Sequence, residues 1–90
     1  MKQTQYDQIL EYYKRHKFIT PMDAFMHLGI TKLATRVSEM KRMGFVFDQE
    51  LINVMNRNGK AVQVMRYELM GKIEQGEFVN KKQVIRRLAA

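Results

Sequence analysis

The sequence predicts a small α+β domain in which three helices precede a β-hairpin and a short helix follows it. Apolar residues recur at three- and four-residue intervals in the first half of the chain, the spacing of amphipathic helices. After residue 44, two β-prone runs flank an Asn-Gly turn, which is typical of a hairpin. The chain has 90 residues, of which 46% are hydrophobic, so it can build one compact core.

The first helix is predicted over residues 4–17. Thr4 and Asp7 have the spacing of a capping box, in which each side chain accepts a hydrogen bond from the other residue's backbone N–H. One apolar stripe is formed by Tyr6, Ile9, Leu10 and Tyr13.

The second helix is predicted to start at Thr20-Pro21 and to end before Gly29. Thr20 can cap it, Pro21 occupies the first helical position, where a missing N–H has no cost, and Asp23 lies in the first turn. The side chains expected to face inward are Ala24, Phe25 and Leu28.

The third helix is predicted over residues 31–43, with Thr31 as its cap and Gly44 as its stop. Its core stripe comprises Leu33, Val37 and Met40. The short connection around Gly29 holds this helix at a steep angle to the second one, so that it can project into a DNA major groove.

The hairpin is predicted from two β-prone strands, residues 45–55 with a break at 48–50, and residues 61–69, joined by a turn at 56–60. One face of the second strand should carry Ala61, Gln63, Met65, Tyr67 and Leu69. A hairpin directly after a helix-turn-helix is a wing, so the order of elements predicts a winged helix-turn-helix domain over residues 1–70.

Residues 71–90 are predicted to form a separate basic extension. Gly71 and Gly76 mark turns, and a helix over 81–89 has a possible capping box and a Val79–Val84 staple at its start. Its apolar face comprises Val84, Ile85 and Leu88, and its outer face Lys81, Lys82, Arg86 and Arg87. The apolar face must pack either on the first helix or on a second copy of the chain, which would make a homodimer.

Three stretches resemble the winged helix-turn-helix domains common in bacteriophage and prophage proteins. They are residues 19–25 (ITPMDAF), 29–45 (GITKLATRVSEMKRMGF) and 66–69 (RYEL), within a likeness that covers residues 4–70. The resemblance implies double-stranded DNA binding but no particular role.

The candidate DNA-binding residues lie on the third helix, at the start of the second helix and in the wing. Helical spacing places Thr31, Thr35, Ser38 and Arg42 opposite the core stripe, with Lys32 and Glu39 beside them. Arg36 either reaches a phosphate or pairs internally with Asp23 or Glu39, and the internal pair is slightly favoured. The remaining candidates are Thr20, Arg57, Asn58 and Lys60.

Charge and residue usage narrow the function. The net charge is +7, divided as +2 over residues 1–50 and +5 over 51–90, which favours a polyanionic partner. The chain lacks cysteine, and His16 and His27 lie 11 residues apart without further ligands, so no cofactor or metal is expected. No catalytic motif, small-molecule site, apolar leader or membrane segment is recognised, so we expect no enzymatic activity and a cytoplasmic location in a bacterial cell, with or without association with the nucleoid.

The function predicted is therefore DNA binding by a regulator of transcription or a recombination-directionality factor from a phage or other mobile element. The alternative is a protein–protein adaptor or an inhibitor of a host protein built on the same scaffold. RNA binding is favoured least, because the aromatic-rich sheet of RNA-recognition modules is missing.

Overall fold

The computed structural model describes the chain from residue 4 to residue 88, with the backbone alone at Leu88. Within this range, helices pack on an antiparallel sheet in an α+β fold. The elements, in chain order, are α1 (Gln5–Tyr12), β1 (Phe18–Ile19), α2 (Pro21–Asp23) with a π-helical segment (Ala24–Leu28), α3 (Leu33–Arg42), β2 (Phe45–Met55), β3 (Ala61–Glu74), β4 (Glu77–Asn80) and α4 (Lys81–Leu88).

The predicted capping box of α1 is confirmed. The Thr4 hydroxyl accepts the Asp7 N–H at 3.1 Å, and the Asp7 carboxylate accepts the Thr4 N–H at 3.2 Å. The helix nevertheless ends at Tyr12 and not at residue 17. It stops early because the chain must be extended by Phe18 to pair with β3.

The start of α2 is also confirmed, since Thr20 and Asp23 form a reciprocal capping box around Pro21. Ala24 is fully buried and Leu28 packs against the core, as predicted. The prediction for Phe25 is wrong, because its side chain is 56% exposed. The inward face is centred on Ala24, and the helical rotation from one residue to the next carries the side chain of Phe25 off that face.

The connection into α3 is a four-residue turn. Gly29 adopts a left-handed φ of 68°, and the N–H of Ile30 returns to the Ala24 carbonyl at 3.0 Å. Ile30 is 1% exposed, so it fastens the turn to the core. The prediction that Thr31 caps α3 is wrong, because the turn continues for one more residue. The helix begins at Leu33, and its N-cap is Lys32, which makes no side-chain hydrogen bond.

The predicted core stripe of α3 is confirmed, because Leu33, Val37 and Met40 are buried. α3 ends one residue before Met43, and Gly44 follows with a φ of 104°. A Cβ at Gly44 would lie 2.8 Å from the Ile73 carbonyl oxygen, so the chain can pass close to β3 only with glycine there.

The second strand of the hairpin is longer than predicted, because β3 continues past Leu69 to Glu74. β2 has the predicted bounds, Phe45–Met55, but is continuous, with one irregularity between Val46 and Phe47, and all of it pairs with β3. β1 and β4 pair with the other edge of β3, which gives the order β1-β3-β2. Gly76 lies in a turn as predicted, but Gly71 does not, because it is a residue of β3 that pairs with both β2 and β4.

Two short strands, β1 and β4, were not predicted from the sequence, and Gly71 is required by the second of them. A Cβ at Gly71 would lie 2.2 Å from the Val79 carbonyl oxygen and 2.8 Å from the Phe78 ring. The predicted boundary between the domain and its C-terminal extension, between residues 70 and 71, thus falls inside β3. The chain beyond it returns to the same sheet as β4.

One core joins the helices to the sheet. Tyr67 and Leu69 of β3 face this core, on the side of the strand that was predicted. Ala61 and Gln63 lie on the same side but nearer the hairpin turn, and they are exposed. The Tyr13 hydroxyl donates to the Tyr67 carbonyl at 2.8 Å, and burial raises the pKa of Tyr13.

Helix α4 packs on the same core. Asn80 caps it by accepting the Gln83 N–H at 3.0 Å. Val84 is 6% exposed and Ile85 packs against the core, so this apolar face is used within the chain, which is the first of the two alternatives. The sequence-based case for a homodimer through this face therefore loses its main support, although the Leu88 side chain and Ala89 lie outside the described residues.

Candidate nucleic-acid interface

The outward face of α3 has the arrangement that the sequence predicts. Thr35, Ser38 and Arg42 are exposed on the side opposite the buried stripe, and Thr31 is exposed in the turn just before the helix. At about 100° per residue, the three helical positions, Thr35, Ser38 and Arg42, fall within about 60° of one another. Two hydroxyl-bearing residues and one guanidinium on a helix can donate to phosphates and base edges, and Arg42 also lies at the C-terminal end of the helix.

A further cation, Lys41, borders this face and was not among the predicted site residues. It is exposed in the last turn of α3, and its ammonium donates to the Gln49 side chain on β2. Its position next to Arg42 in the sequence was visible, but its orientation depends on how β2 packs beside α3.

Arg36 and Glu39 form an internal pair, which is the alternative that the sequence slightly favoured. The guanidinium of Arg36 lies 3.1 Å from the Glu39 carboxylate, which also accepts the Tyr6 hydroxyl at 2.9 Å. The hydrogen bond to Glu39 raises the pKa of Tyr6. Glu39 was expected beside the outward face, yet its carboxylate is engaged by α1, and this network sets the position of α3 relative to α1.

Thr20 and Lys32 lie at the two helix starts. The Thr20 hydroxyl accepts the Asp23 N–H at 3.1 Å, which leaves its own proton free to donate to a phosphate oxygen. Lys32 is exposed at the N-cap of α3. Asp23 returns its carboxylate to Thr20 and does not pair with Arg36.

The wing is the part of the β2–β3 hairpin beyond its contact with β1, and its tip is residues 56–60. β3 extends six residues from Tyr67, the partner of Ile19, to Ala61 next to the tip, so the tip projects about 20 Å from the paired body of the sheet. That reach exceeds the ~12 Å width of a B-DNA major groove.

The tip is shaped by a residue that sequence reasoning did not single out. The Asn56 side-chain oxygen accepts the N–H groups of Asn58 at 2.9 Å and Lys60 at 3.0 Å, while Gly59 takes a φ of 78°. The backbone of the turn thus closes on itself, and Arg57, Asn58 and Lys60 are left exposed. An Asn at the first position of such a turn is a known side-chain-to-backbone signal.

A groove of about 450 Å³ separates the start of α2 from the wing, so it lies between two of the predicted DNA-binding elements. Its lining is mostly apolar and consists of Thr20, Met22, Asp23, Val54, Met55, Asn56, Val62 and Val64.

The two histidines do not converge as a metal site. The ring of Tyr12 lies between them, stacked at 4.1 Å on His16 and tilted at 6.0 Å from His27. Within residues 4–88, no three His, Asp or Glu side chains come together in a way that could hold a metal ion.

In this chain, two helices joined by a tight turn are followed by a hairpin, and the second of these helices, α3, presents polar side chains outward. This arrangement defines a winged helix-turn-helix protein. The family model described as a winged helix-turn-helix domain matches residues 4–72. The chain therefore belongs to this family, whose fold is a DNA-binding one.

Comparison with curated proteins and with solved structures gave no match. No helix in the described part of the chain is both long and apolar enough to cross a membrane.

Proposed function

We propose that this protein binds a specific sequence of double-stranded DNA, with α3 in the major groove and the wing tip on the adjacent backbone or groove. The observation that carries the proposal is the outward face of α3, where Thr31, Thr35, Ser38 and Arg42 are exposed together in a domain of this family. The internal network of Tyr6, Arg36 and Glu39 supports it, because a recognition helix must be held rigidly to read bases.

Each side chain of the interface has a role that follows from its chemistry. Arg42 can donate two parallel hydrogen bonds to guanine, and the hydroxyls of Thr35 and Ser38 can bond to base edges or phosphates. Lys32 and Lys41, on either side, are suited to phosphates, which fix the register but read no sequence. Thr20 would add a phosphate contact at the start of α2.

The biological role we propose is regulation of transcription, or direction of recombination, in a phage or other mobile element. It is supported by the resemblance of residues 4–70 to phage and prophage domains. The protein would act by binding alone, without catalysis, in the bacterial cytoplasm and in association with the nucleoid.

The test is selection of bound sequences from a pool of random duplexes, followed by gel-shift titration of the selected site. If Arg42 reads a base, Arg42→Ala should weaken binding to the selected site by ~5- to 160-fold and relax the preference at one position. Arg87→Gln is the matched control, because Arg87 pairs with Glu74 away from α3 and its substitution removes the same charge. A pool that yields no enriched sequence would contradict sequence-specific binding, and equal losses of affinity with both variants would remove Arg42 from the interface.

An adaptor function is the second candidate, and an exposed apolar ridge favours it. Met22, Phe25 and Met26 are 65%, 56% and 67% exposed on α2 and its π-helical segment, and Met22 lines the apolar groove that borders the wing. Exposed apolar patches of this kind often mark contacts with other proteins. A chain that lacks duplex affinity at moderate salt, yet loses a protein partner on Phe25→Ser substitution, would favour the adaptor.

A further inference from the structure

A second concentration of positive charge lies away from α3 and the wing. Seven of the 16 basic residues fall either in residues 14–17 or in α4, and neither segment contains an acidic residue. Two of the seven are neutralised, because Lys14 pairs with Glu11 at 2.9 Å and Arg87 pairs with Glu74. Among the described residues, no acidic side chain pairs with Arg15, Lys17, Lys81, Lys82 or Arg86.

The fold joins these residues into one surface. The ammonium of Lys81 donates to the His16 carbonyl at 3.3 Å and lies 5.5 Å from the centre of the Tyr13 ring, which ties the start of α4 to the end of α1. Lys14, Lys81 and Lys82 line one groove, and Lys14 also borders a second groove that Arg15 and His16 line. We name this the α1–α4 basic surface, and its members are Lys14, Arg15, Lys17, Lys81, Lys82 and Arg86.

This surface is separate from the one that α3 presents. α4 packs on α1, β3 and β4, whereas α3 packs on α1 and β2. Tyr6, which contacts α3 through Glu39, is near the start of α1, about 9 Å along the helix from Tyr12 at the end where the basic surface begins. Lys82 and Arg86 therefore lie on a different element from α3, and a major-groove contact by α3 does not by itself account for them.

We propose that the α1–α4 basic surface is a second nucleic-acid contact that binds the phosphodiester backbone without reading sequence. The inference rests on the proposed function, which brings the chain to DNA. Five cations that no described acid neutralises repel one another in the free protein, and a polyanion relieves that repulsion while releasing its own counterions. Lysine and arginine on exposed, flexible stems suit phosphates, which require charge and little shape.

The phosphates could come from flanking DNA on the same duplex or from a second duplex, and two measurements separate these sources. The first is the salt dependence of binding to a duplex of ~15 base pairs and to one of ~40 base pairs with the same central site. The second is bridging, in which the protein captures a labelled duplex on beads that carry an unlabelled one.

The test variant is Lys82→Gln/Arg86→Gln, and the matched variant is Lys32→Gln/Arg42→Gln, which removes the same charge from the α3 surface. If flanking DNA is the ligand, the test variant should lower the salt slope on the longer duplex by about 0.9 for each phosphate that is no longer bound, and the short duplex should be unaffected. If a second duplex is the ligand, the wild-type chain should bridge and the test variant should not, with affinity for one short duplex unchanged.

The proposal is overturned if the wild-type protein does not bridge two duplexes and the test variant keeps the wild-type salt slope on the longer duplex. An acidic protein would then remain as the candidate ligand of this surface. The two surfaces fail separately. Weaker binding of the short duplex by the Lys32/Arg42 variant, with wild-type slope and bridging in the Lys82/Arg86 variant, upholds the proposed function and overturns the further inference. A slope or bridging change in the Lys82/Arg86 variant, with unchanged binding by the Lys32/Arg42 variant, leaves the phosphate contact on the α1–α4 basic surface and contradicts the proposed role of α3. Glu74→Gln/Arg87→Gln, which leaves the net charge unchanged, controls for the packing of α4. Should thermal melting show that the test variant is unfolded, Arg15→Gln/Lys17→Gln outside the helices gives the same two readouts.

Discussion

The wing tip is predicted to contribute two phosphate contacts, and Arg57→Ala/Lys60→Ala should remove both. Each side chain is exposed at the tip, which projects about 20 Å from the paired body of the sheet. The turn itself should survive the substitution, because its backbone is held by the side chain of Asn56 and by Gly59 in its left-handed conformation. The effect should therefore appear in DNA binding and not in stability.

The size of the effect follows from counterion release. Removing two phosphate contacts lowers the slope of log K against log salt by about 1.8, which corresponds to about 60-fold weaker binding at 0.1 M salt, relative to 1 M. Between 50 and 200 mM salt, the wild-type affinity should fall about 12-fold more than that of the variant.

Fluorescence anisotropy with one labelled duplex, repeated over that range of salt, measures the slope directly. Asn58→Ala, in the same turn but without a charge, is the control and should leave the slope unchanged. An unchanged slope at unchanged affinity for the double variant would refute the reasoning and show that the tip is solvated in the complex. A lowered melting temperature would show instead that the tip supports the fold.

Three further predictions test how the fold supports this site. Asn56→Ala removes the acceptor of two backbone N–H groups at the tip, so amide exchange there should accelerate about fivefold, read by NMR. Gly71→Ala places a Cβ against the Val79 carbonyl oxygen and should destabilise the chain by about 1–3 kcal/mol in thermal melts; an unchanged melt would contradict the close approach. Burial raises the pKa of Tyr13 above the unfolded value of about 10, so its protonated form adds stability that is complete below pH ~10 and is lost as pH rises further. Tyr13→Phe should reduce that alkaline loss, of which the other tyrosines with raised pKa values, Tyr6, Tyr12 and Tyr67, keep a part. It should also cost about 1 kcal/mol at neutral pH, where the hydrogen bond to Tyr67 is missing; an alkaline loss of unchanged size in the variant would contradict the role of Tyr13.

Local signals in the sequence determined where elements start and which residues enter the core. The capping boxes at Thr4 and Thr20, the αL glycine at position 29 and the hairpin turn at 56–60 each depend on residues within four positions of one another. Their hydrogen bonds close inside a single turn, so their pattern can be read from spacing alone. The same spacing placed Thr35, Ser38 and Arg42 together, because helical periodicity needs no knowledge of the rest of the chain.

Only the tertiary structure decided which alternative each ambiguous residue took. Glu39 turns to Tyr6, which is 33 residues away, and this contact takes it from the outward face that spacing alone had suggested. Gly71 reads as a turn in the sequence but is a strand residue, because the chain returns as β4 and its Val79 carbonyl leaves no room for a Cβ. Val84 is drawn into the core by α4 packing on α1 and β3, and the basic residues of α4 are thereby brought beside those at the end of α1. These outcomes depend on pairings between distant segments, whose register and packing are set by the closing of the whole core and not by the neighbours of any one residue.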